Sequence, residues 1–376
     1  MGERAVVAAD KFKGSLTAGQ VAARLAAGLA RAGFGGEVAA VPVADGGDGT
    51  VAAALAAGFD PVELEVHGPA GEPVSALFAL RDGTAVVEAA QACGLSLLPA
   101  GGLAPLTATS RGVGELILAA RAAGASRIVL GVGGVATTDG GAGLLQALGV
   151  RLSDAAGREL PPGGAALAAL AAVDRSGLPD LSGMQFLLAS DVDNPLLGPS
   201  GAAAVYGPQK GASPGDVRLL EEGLRRWADL AEDAAGGTPA RDAAGAGAAG
   251  GLGFAALLFL GARMRPGIEL LLELASFGSR LDGARLVITG EGSLDAQTLH
   301  GKVPVGVARA TAAYHRAIPV VAVAGQCTLT ADQLRRAGIT AAYALTDIES
   351  DLSRCMAEAG PLLELLAGRI AADWLR

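Results

Sequence analysis

Ala5-Val6-Val7-Ala8-Ala9-Asp10-Lys11-Phe12-Lys13-Gly14-Ser15-Leu16-Thr17-Ala18-Gly19-Gln20 holds the grammar of the whole chain. A short apolar run bounded by polar residues reads as a buried strand. It stops at an aspartate and a polar loop, and Thr17 with Gln20 three positions on is a capping-box pattern that predicts a helix over about 18–32. The pattern then recurs. A strand over 38–44 runs into Asp45-Gly46-Gly47-Asp48-Gly49-Thr50 and a helix that ends near residue 57. Downstream, strands are predicted over 84–88, 127–130, 186–189, 286–288, 320–324 and 342–345, with helices over 113–123 and 142–148 among them. Strands alternating with helices give an α/β fold with mainly parallel sheets. Ligands of such sheets bind outside the carboxyl ends of the strands, so the strand-end loops are where chemistry is expected.

Composition narrows the classes further. The 376 residues include 57 glycines, about twice the average usage, yet no three-residue collagen period is present. With 51% hydrophobic and 18% charged residues, the chain can bury enough apolar surface to escape disorder. A net charge of −9 and 8 Phe, 2 Trp and 3 Tyr argue against nucleic acid, which needs cations for phosphates and rings for stacking. A small anion needs only a local positive patch. Cys93, Cys327 and Cys355 are scattered and form no CxxC pair, so neither zinc nor a disulfide framework is indicated and a reducing cytoplasm is expected. The apolar run before Asp10 is too short for a secretory segment. Residues 243–262 carry no charge, but 14 of the 20 are Gly or Ala; a glycine-rich loop entering a buried helix is expected there, and no membrane span.

The length suggests two domains. Residues 61–73 and 278–283 are the hinge candidates, because the strand–loop–helix units outside them resemble one another. The expected division is therefore 1–62 plus 284–376 as one discontinuous domain, with 63–283 inserted in it.

Four loops carry candidate chemistry. The first, 131–143, opens with Gly131-Val132-Gly133-Gly134-Val135-Ala136, a G-x-G-x-x-A match, and Asp154 follows 23 residues after Gly131. That combination raises a dinucleotide fingerprint, although Thr137-Thr138-Asp139-Gly140-Gly141 delays the helix. Glycine amides and threonine hydroxyls equally suit phosphate oxygens, and a tight packing turn is the plain alternative. A Walker A loop is absent: near Gly301-Lys302, Ala296 replaces the first glycine and Val303 the hydroxyl. In the second loop, 289–304, Asp295 and Lys302 have the chemistry to orient an attacking hydroxyl and to neutralise a transferring phosphoryl group. In the third, Asp191 and Asp193 suit Mg²⁺ ligation, with capping before Pro195 as the alternative. The fourth is the N-terminal pair of loop tips, where Asp10, Lys11, Lys13, Ser15, Asp45 and Asp48 could take a small carboxylate and its hydroxyls.

Eight segments in order resemble the bacterial type-1 glycerate kinase family: DKFKGSLTA (10–18), VPVADGGDGT (41–50), TATSRGVGELI (107–117), GVGGVATTDGGAGLLQALG (131–149), SDVDNPLLGPSGA (190–202), YGPQKGA (206–212), GAGAAGGLG (245–253) and TGEGSLDAQTLHGKVPVGVA (289–308). Val135 and Thr138 depart from the serine and asparagine common there. The resemblance implies ATP-dependent, Mg²⁺-assisted phosphorylation of D-glycerate, most often at the 2-hydroxyl. It further implies two α/β domains around a cleft that holds the active site, one of them flavodoxin-like and built from both chain ends. The resulting expectation seats glycerate on Lys13, Ser15, Asp10 and Asp45, with Asp295 or Asp191 orienting its hydroxyl and Lys302 stabilising the transition state. ATP would follow Gly133, Gly134, Thr137, Thr138 and Asp139, with Mg²⁺ near Asp191 and Asp193. An NAD-linked hydroxy-acid dehydrogenase and a non-catalytic binder of small anions are the competing readings, and a homo-oligomer stays open.

Overall fold

A computed structural model describes residues 3–99, 102–314 and 318–376. Strands β1 to β6 are Arg4–Ala9, Glu37–Ala40, Asp60–His67, Pro73–Arg81, Thr84–Glu88 and Arg127–Gly131. Strands β7 to β13 are Arg151–Ser153, Ala172–Asp174, Gln185–Ala189, Arg263–Arg265, Ala284–Leu294, Val320–Cys327 and Ala341–Ala344. The chain divides into two compact units: Met1–Asp45, Ala52–Gly58 and Pro266–Arg376 form the first, and Gly46–Val51 and Phe59–Arg265 the second.

The first unit is a five-stranded parallel sheet ordered β13-β12-β11-β1-β2. Counting only its own strands along the chain, that order is 2-1-3-4-5 read from the other edge, the flavodoxin-like arrangement. Alternation of side chains sorts the core into two layers. Ala5, Val7 and Ile288 pack with Val21, Leu25 and Leu29 on one face, whereas Val6, Ala8 and Val287 pack with Ile268, Val303 and Val307 on the other. The helix Ala18–Arg31 starts at the expected capping box, with Thr17 and Gln20 exchanging backbone hydrogen bonds. It lies against the C-terminal helix Ala359–Trp374, and Gly28 sets their separation. A Cβ on Gly28 would sit 2.5 Å from the Glu364 carbonyl oxygen and 2.6 Å from Ala367 Cβ.

The second unit holds a six-stranded sheet ordered β10-β9-β6-β5-β4-β3. Its strands from β10 to β5 run parallel, and β4 and β3 add an antiparallel edge. β7 and β8 form a separate antiparallel pair. At the centre of the core Trp227 is fully buried, edge-on to Phe254 and stacked on Phe259, and its indole N–H donates to the Gly140 carbonyl at 3.0 Å.

Three expectations about local structure change. Residues 61–73 are no hinge: β3 occupies 60–67, with Val62, Leu64 and Val66 turned inward and Glu63 and Glu65 outward. Period-two alternation is the strand signal, and Pro61 is tolerated because β3 is an edge. The second boundary falls at 265/266 and not at 283/284. Arg263–Arg265 pairs with β9, while the helix Gly267–Leu274 sends Ile268 and Leu272 into the core of the first unit. Finally, β11 does not end at Ile288 but runs to Leu294, because Glu291, Ser293 and Leu294 stay in register with Ala324, Gln326 and Cys327 of β12. In the uncharged 243–262 stretch, Ala249, Gly250 and Gly251 take left-handed φ values of 54°, 67° and 91° and break the helix. No helix among the described residues is long and apolar enough to cross a membrane.

Gly28→Val should force the two helices of the first unit apart. Overpacking of this kind costs about 1–3 kcal/mol, so the urea midpoint should fall measurably; an unchanged midpoint would mean that the contact does not limit the packing.

Candidate functional site

In the first unit the loops after β1 and β11 face each other at a topological switch point. The helix that follows β1 covers one face of the sheet, and Val303–Ala313, which follows β11, covers the other. That divergence opens a crevice at the carboxyl ends of the two central strands, the place where open α/β sheets bind ligands. Asp10 sits at its base, 9% exposed, with its amide bonded to the Gly290 carbonyl and its Oδ1 accepting from the Lys11 amide at 2.6 Å. Burial, reinforced by the nearby Asp45 and Glu291 carboxylates against the opposing pull of Lys11, raises Asp10 to about 7. Glu291 is likewise pushed upward by burial, opposed by a hydrogen bond from the Thr298 hydroxyl and by Lys302. Three carboxyls and two lysines thus share one neighbourhood.

The other expected residues of this unit are at hand, with differing freedom. Lys13 is exposed. Ser15 donates its hydroxyl to the Met356 carbonyl at 2.8 Å. Asp295 accepts from the Gln297 amide at 2.8 Å through Oδ1, which shapes the turn before Thr298. Lys302, the residue before the helix Val303–Ala313, reaches Gln297 Oε1 at 3.3 Å. Glu291 is the residue sequence reasoning passed over. The signal available was its place directly after an apolar run: Leu286 to Glu291 are all buried in β11, so a carboxylate ends a fully buried stretch.

In the second unit, β5, β6 and β9 end side by side in Glu88, Gly131 and Ala189. Glu88 is buried and accepts from the amides of Gly49 (3.2 Å) and Val51 (3.0 Å). This carboxylate ties Gly46–Val51 to the second unit, so the Asp45-to-Thr50 motif is divided between units. Gly46–Val51 lies against the glycine loop: the Gly133 amide donates to the Gly46 carbonyl at 3.3 Å, and a Cβ on Gly133 would approach Gly47 Cα to 2.4 Å.

The glycine loop has an outer and an inner part. Gly133 is half-buried and Gly134 exposed, whereas Thr137, Thr138 and Asp139 are fully buried. Asp139 Oδ2 accepts from Ser110 N and Oγ, both at 2.8 Å, and from Gly143 N at 3.2 Å, while Oδ1 accepts from Gly141 N at 3.1 Å. Burial nevertheless raises its pKa. These three side chains, expected along a nucleotide, lie beneath the loop, and its accessible surface is the backbone near 133–134. Ser110 and Lys210, absent from the expected set, belong to the same framework. The helix after the loop starts only at Ala142, far later than a dinucleotide fingerprint requires.

Ser190 is buried at the end of β9, and Asp191 and Asp193 are exposed just beyond it. No group of three or more His, Cys, Asp or Glu among the described residues is arranged to hold a metal ion. A carboxylate pair still fits Mg²⁺, which commonly keeps its waters and takes one or two protein carboxylates plus substrate phosphates.

The glycerate kinase family model matches residues 5–375. A glycerate kinase of Bacillus subtilis is 45% identical over 372 residues, covering 98% of this chain and 97% of that protein. A glycerate 2-kinase of Escherichia coli is 44% identical over 344 residues, 90% of each chain. A crystal structure assigned as a glycerate kinase 2 of Salmonella typhimurium LT2 superposes with a TM-score of 0.84 at 40% identity, covering 99% of this chain and 98% of that one. With matches of this extent, the chain belongs to the glycerate kinase family.

Proposed function

We propose that the chain transfers the γ-phosphoryl group of ATP to a hydroxyl of D-glycerate, with Mg²⁺, and that 2-phosphoglycerate is the favoured product. The observation that carries this reading is the cluster at the switch point of the first unit, where a deeply set carboxyl with a pKa near neutrality lies beside lysines. A group of that kind matches the demand of a proton acceptor working near pH 7. The reading places the glycerate carboxylate at Lys13 and its reacting hydroxyl at Asp10, which takes the proton as the oxygen attacks phosphorus. Asp45 and Glu291 keep Asp10 basic enough for that task. Asp295 orients the hydroxyl through the oxygen that Gln297 leaves open, and Lys302 exchanges its weak bond to Gln297 for a transferring phosphoryl oxygen. The phosphates of ATP follow the backbone at Gly133 and Gly134. Asp191 and Asp193 would hold Mg²⁺, which neutralises charge on the β- and γ-phosphates when bound.

Asp295→Ala and Lys302→Ala should each lower kcat by about 10²-fold or more without shifting the unfolding midpoint, as read by ADP release with D-glycerate and ATP. Near-normal turnover in both variants would sink these two roles. Phosphorus NMR of the product decides between 2- and 3-phosphoglycerate.

Asp10 gives a signed pH dependence. Its proton is held up to about 7 in the folded chain against an ordinary value of 3.8, so activity on glycerate should rise with pH through about 7. The stability contribution runs oppositely. It is complete below the unfolded pKa and lost as pH rises through the folded one. Asp10→Asn should therefore cut kcat/KM by about 10²–10⁴-fold while its melting temperature at pH 8 matches or exceeds that of the parent. A variant that keeps its activity, or one that melts lower, would contradict this assignment.

A further inference from the structure

Lys210 closes the short turn Pro208–Lys210 ahead of Gly211, and it is only 2% exposed. Lysine is almost never fully buried unless paired. Among the described residues its ammonium makes one hydrogen bond, donating to the Thr137 carbonyl at 2.5 Å, and no carboxylate forms an ion pair with it. Two titratable groups face it, Cys93 and Asp139. The Cys93 thiol is pushed up to about 12 and stays neutral. The Asp139 carboxylate attracts the ammonium but spends its hydrogen bonds on Ser110, Gly141 and Gly143. In the same loop the Thr137 hydroxyl faces the Cys93 thiol, and Thr138 Oγ1 is buried without a hydrogen-bond partner. A buried cation so sparsely compensated costs stability, and a chain retains one where the charge has a task.

We propose that Lys210 is a positioning residue for the phosphates of the nucleotide: fastened to the Thr137 carbonyl, it holds the glycine loop in shape from beneath and sets a positive potential behind Gly133 and Gly134. It touches no substrate. The inference rests on the reading that the polyphosphate lies along that loop. A charge in a water-excluded interior acts over a longer distance than one at the surface, so a neutral side chain of similar length would preserve packing and lose the effect. Burial, the dominant influence, lowers Lys210 to about 8. The positive potential is thus present at neutrality and fades in mild alkali.

The test is calorimetric titration of ATP with Mg²⁺ into the full chain, into Lys210→Met and into Gly134→Val, together with steady-state kinetics in glycerate. Lys210→Met should raise the Kd for ATP about tenfold at pH 7 while the KM for glycerate stays within about twofold, a split that general loosening of the fold would not produce. The Kd of the parent should also rise between about pH 7 and about pH 9, and that rise should vanish in Lys210→Met. Equal ATP binding by Lys210→Met and the parent overturns the proposal. If Lys210→Met does not fold, the pH series on the parent decides, and a flat Kd overturns it. Gly134→Val separates the two levels of argument, since a Cβ there would come within 2.0 Å of Asp48 Oδ1. Should Gly134→Val weaken ATP while Lys210→Met does not, only the role of Lys210 falls. Should Gly134→Val bind ATP normally, the placement of the nucleotide falls and the proposal with it.

Discussion

A buried carboxylate must be saturated with hydrogen bonds or it will not stay charged in the interior, and Asp139 imposes that condition on much of the second unit. Its oxygens gather the Ser110 amide and hydroxyl and the amides of Gly141 and Gly143. The Ser110 hydroxyl in turn accepts from the Leu144 amide. One side chain thereby fixes the start of the helix Arg111–Ala122, the start of the helix Ala142–Ala147 and the path of the loop between β6 and the latter. The requirement extends to residue type. A Cβ on Gly143 would lie 2.3 Å from Thr109 Oγ1, and Gly141 holds a left-handed φ of 73°. Substitution at either would break the ring of donors around the carboxylate.

The first unit solves the opposite problem. At the ends of β1 and β11 burial makes Asp10 and Glu291 harder to ionise, and neighbouring carboxylates add to the effect. Such an arrangement lowers stability at neutral pH and is informative for that reason: strongly shifted groups in a crevice concentrate where chemistry is done. The Thr298 hydroxyl bonded to Glu291 and the Lys11 amide bonded to Asp10 limit the cost without removing it.

Much of this architecture was legible in the residues themselves. The capping box at Thr17 and Gln20, the strand at 84–88 and the strand–loop–helix alternation are local signals, and local physics sets them. What escaped was decided by distant partners. The strand 60–67 looked like a hinge because Pro61 and the turn glycines masked its alternation, and only pairing with β4 stabilises it. The extension of β11 to Leu294 depends on β12, so Glu291 appeared to lie in a loop although it belongs to a strand. Asp10, Asp45, Asp295 and Lys302 could be nominated as candidates by side-chain chemistry and position after a strand. Burial of Thr137, Thr138 and Asp139 could not, because a hydroxyl or carboxylate in a glycine loop reads the same whether it faces a ligand or the core.

The glycine excess shows the same ambiguity and its resolution. A glycine records that something approaches the backbone closely, but the sequence does not say what. At 245–253 the approaching groups are protein: a Cβ on Gly250 would meet the Thr137 carbonyl at 2.0 Å, and one on Gly253 the Gly245 carbonyl at 2.0 Å. Those residues are packing devices that support the loop from behind. Gly134 differs, being exposed with a φ of 74°, and the group nearest to a Cβ there is the Asp48 carboxylate and not the core. A left-handed residue on an accessible strand-end loop turns its amide away from ladder pairing, which is how backbone donors are presented to an anion. Of the glycine clusters in this chain, the one beginning at Gly131 therefore contains both kinds, an exposed Gly134 and glycines that protein groups approach closely, Gly133 against Gly47 and Gly141 against Ala255.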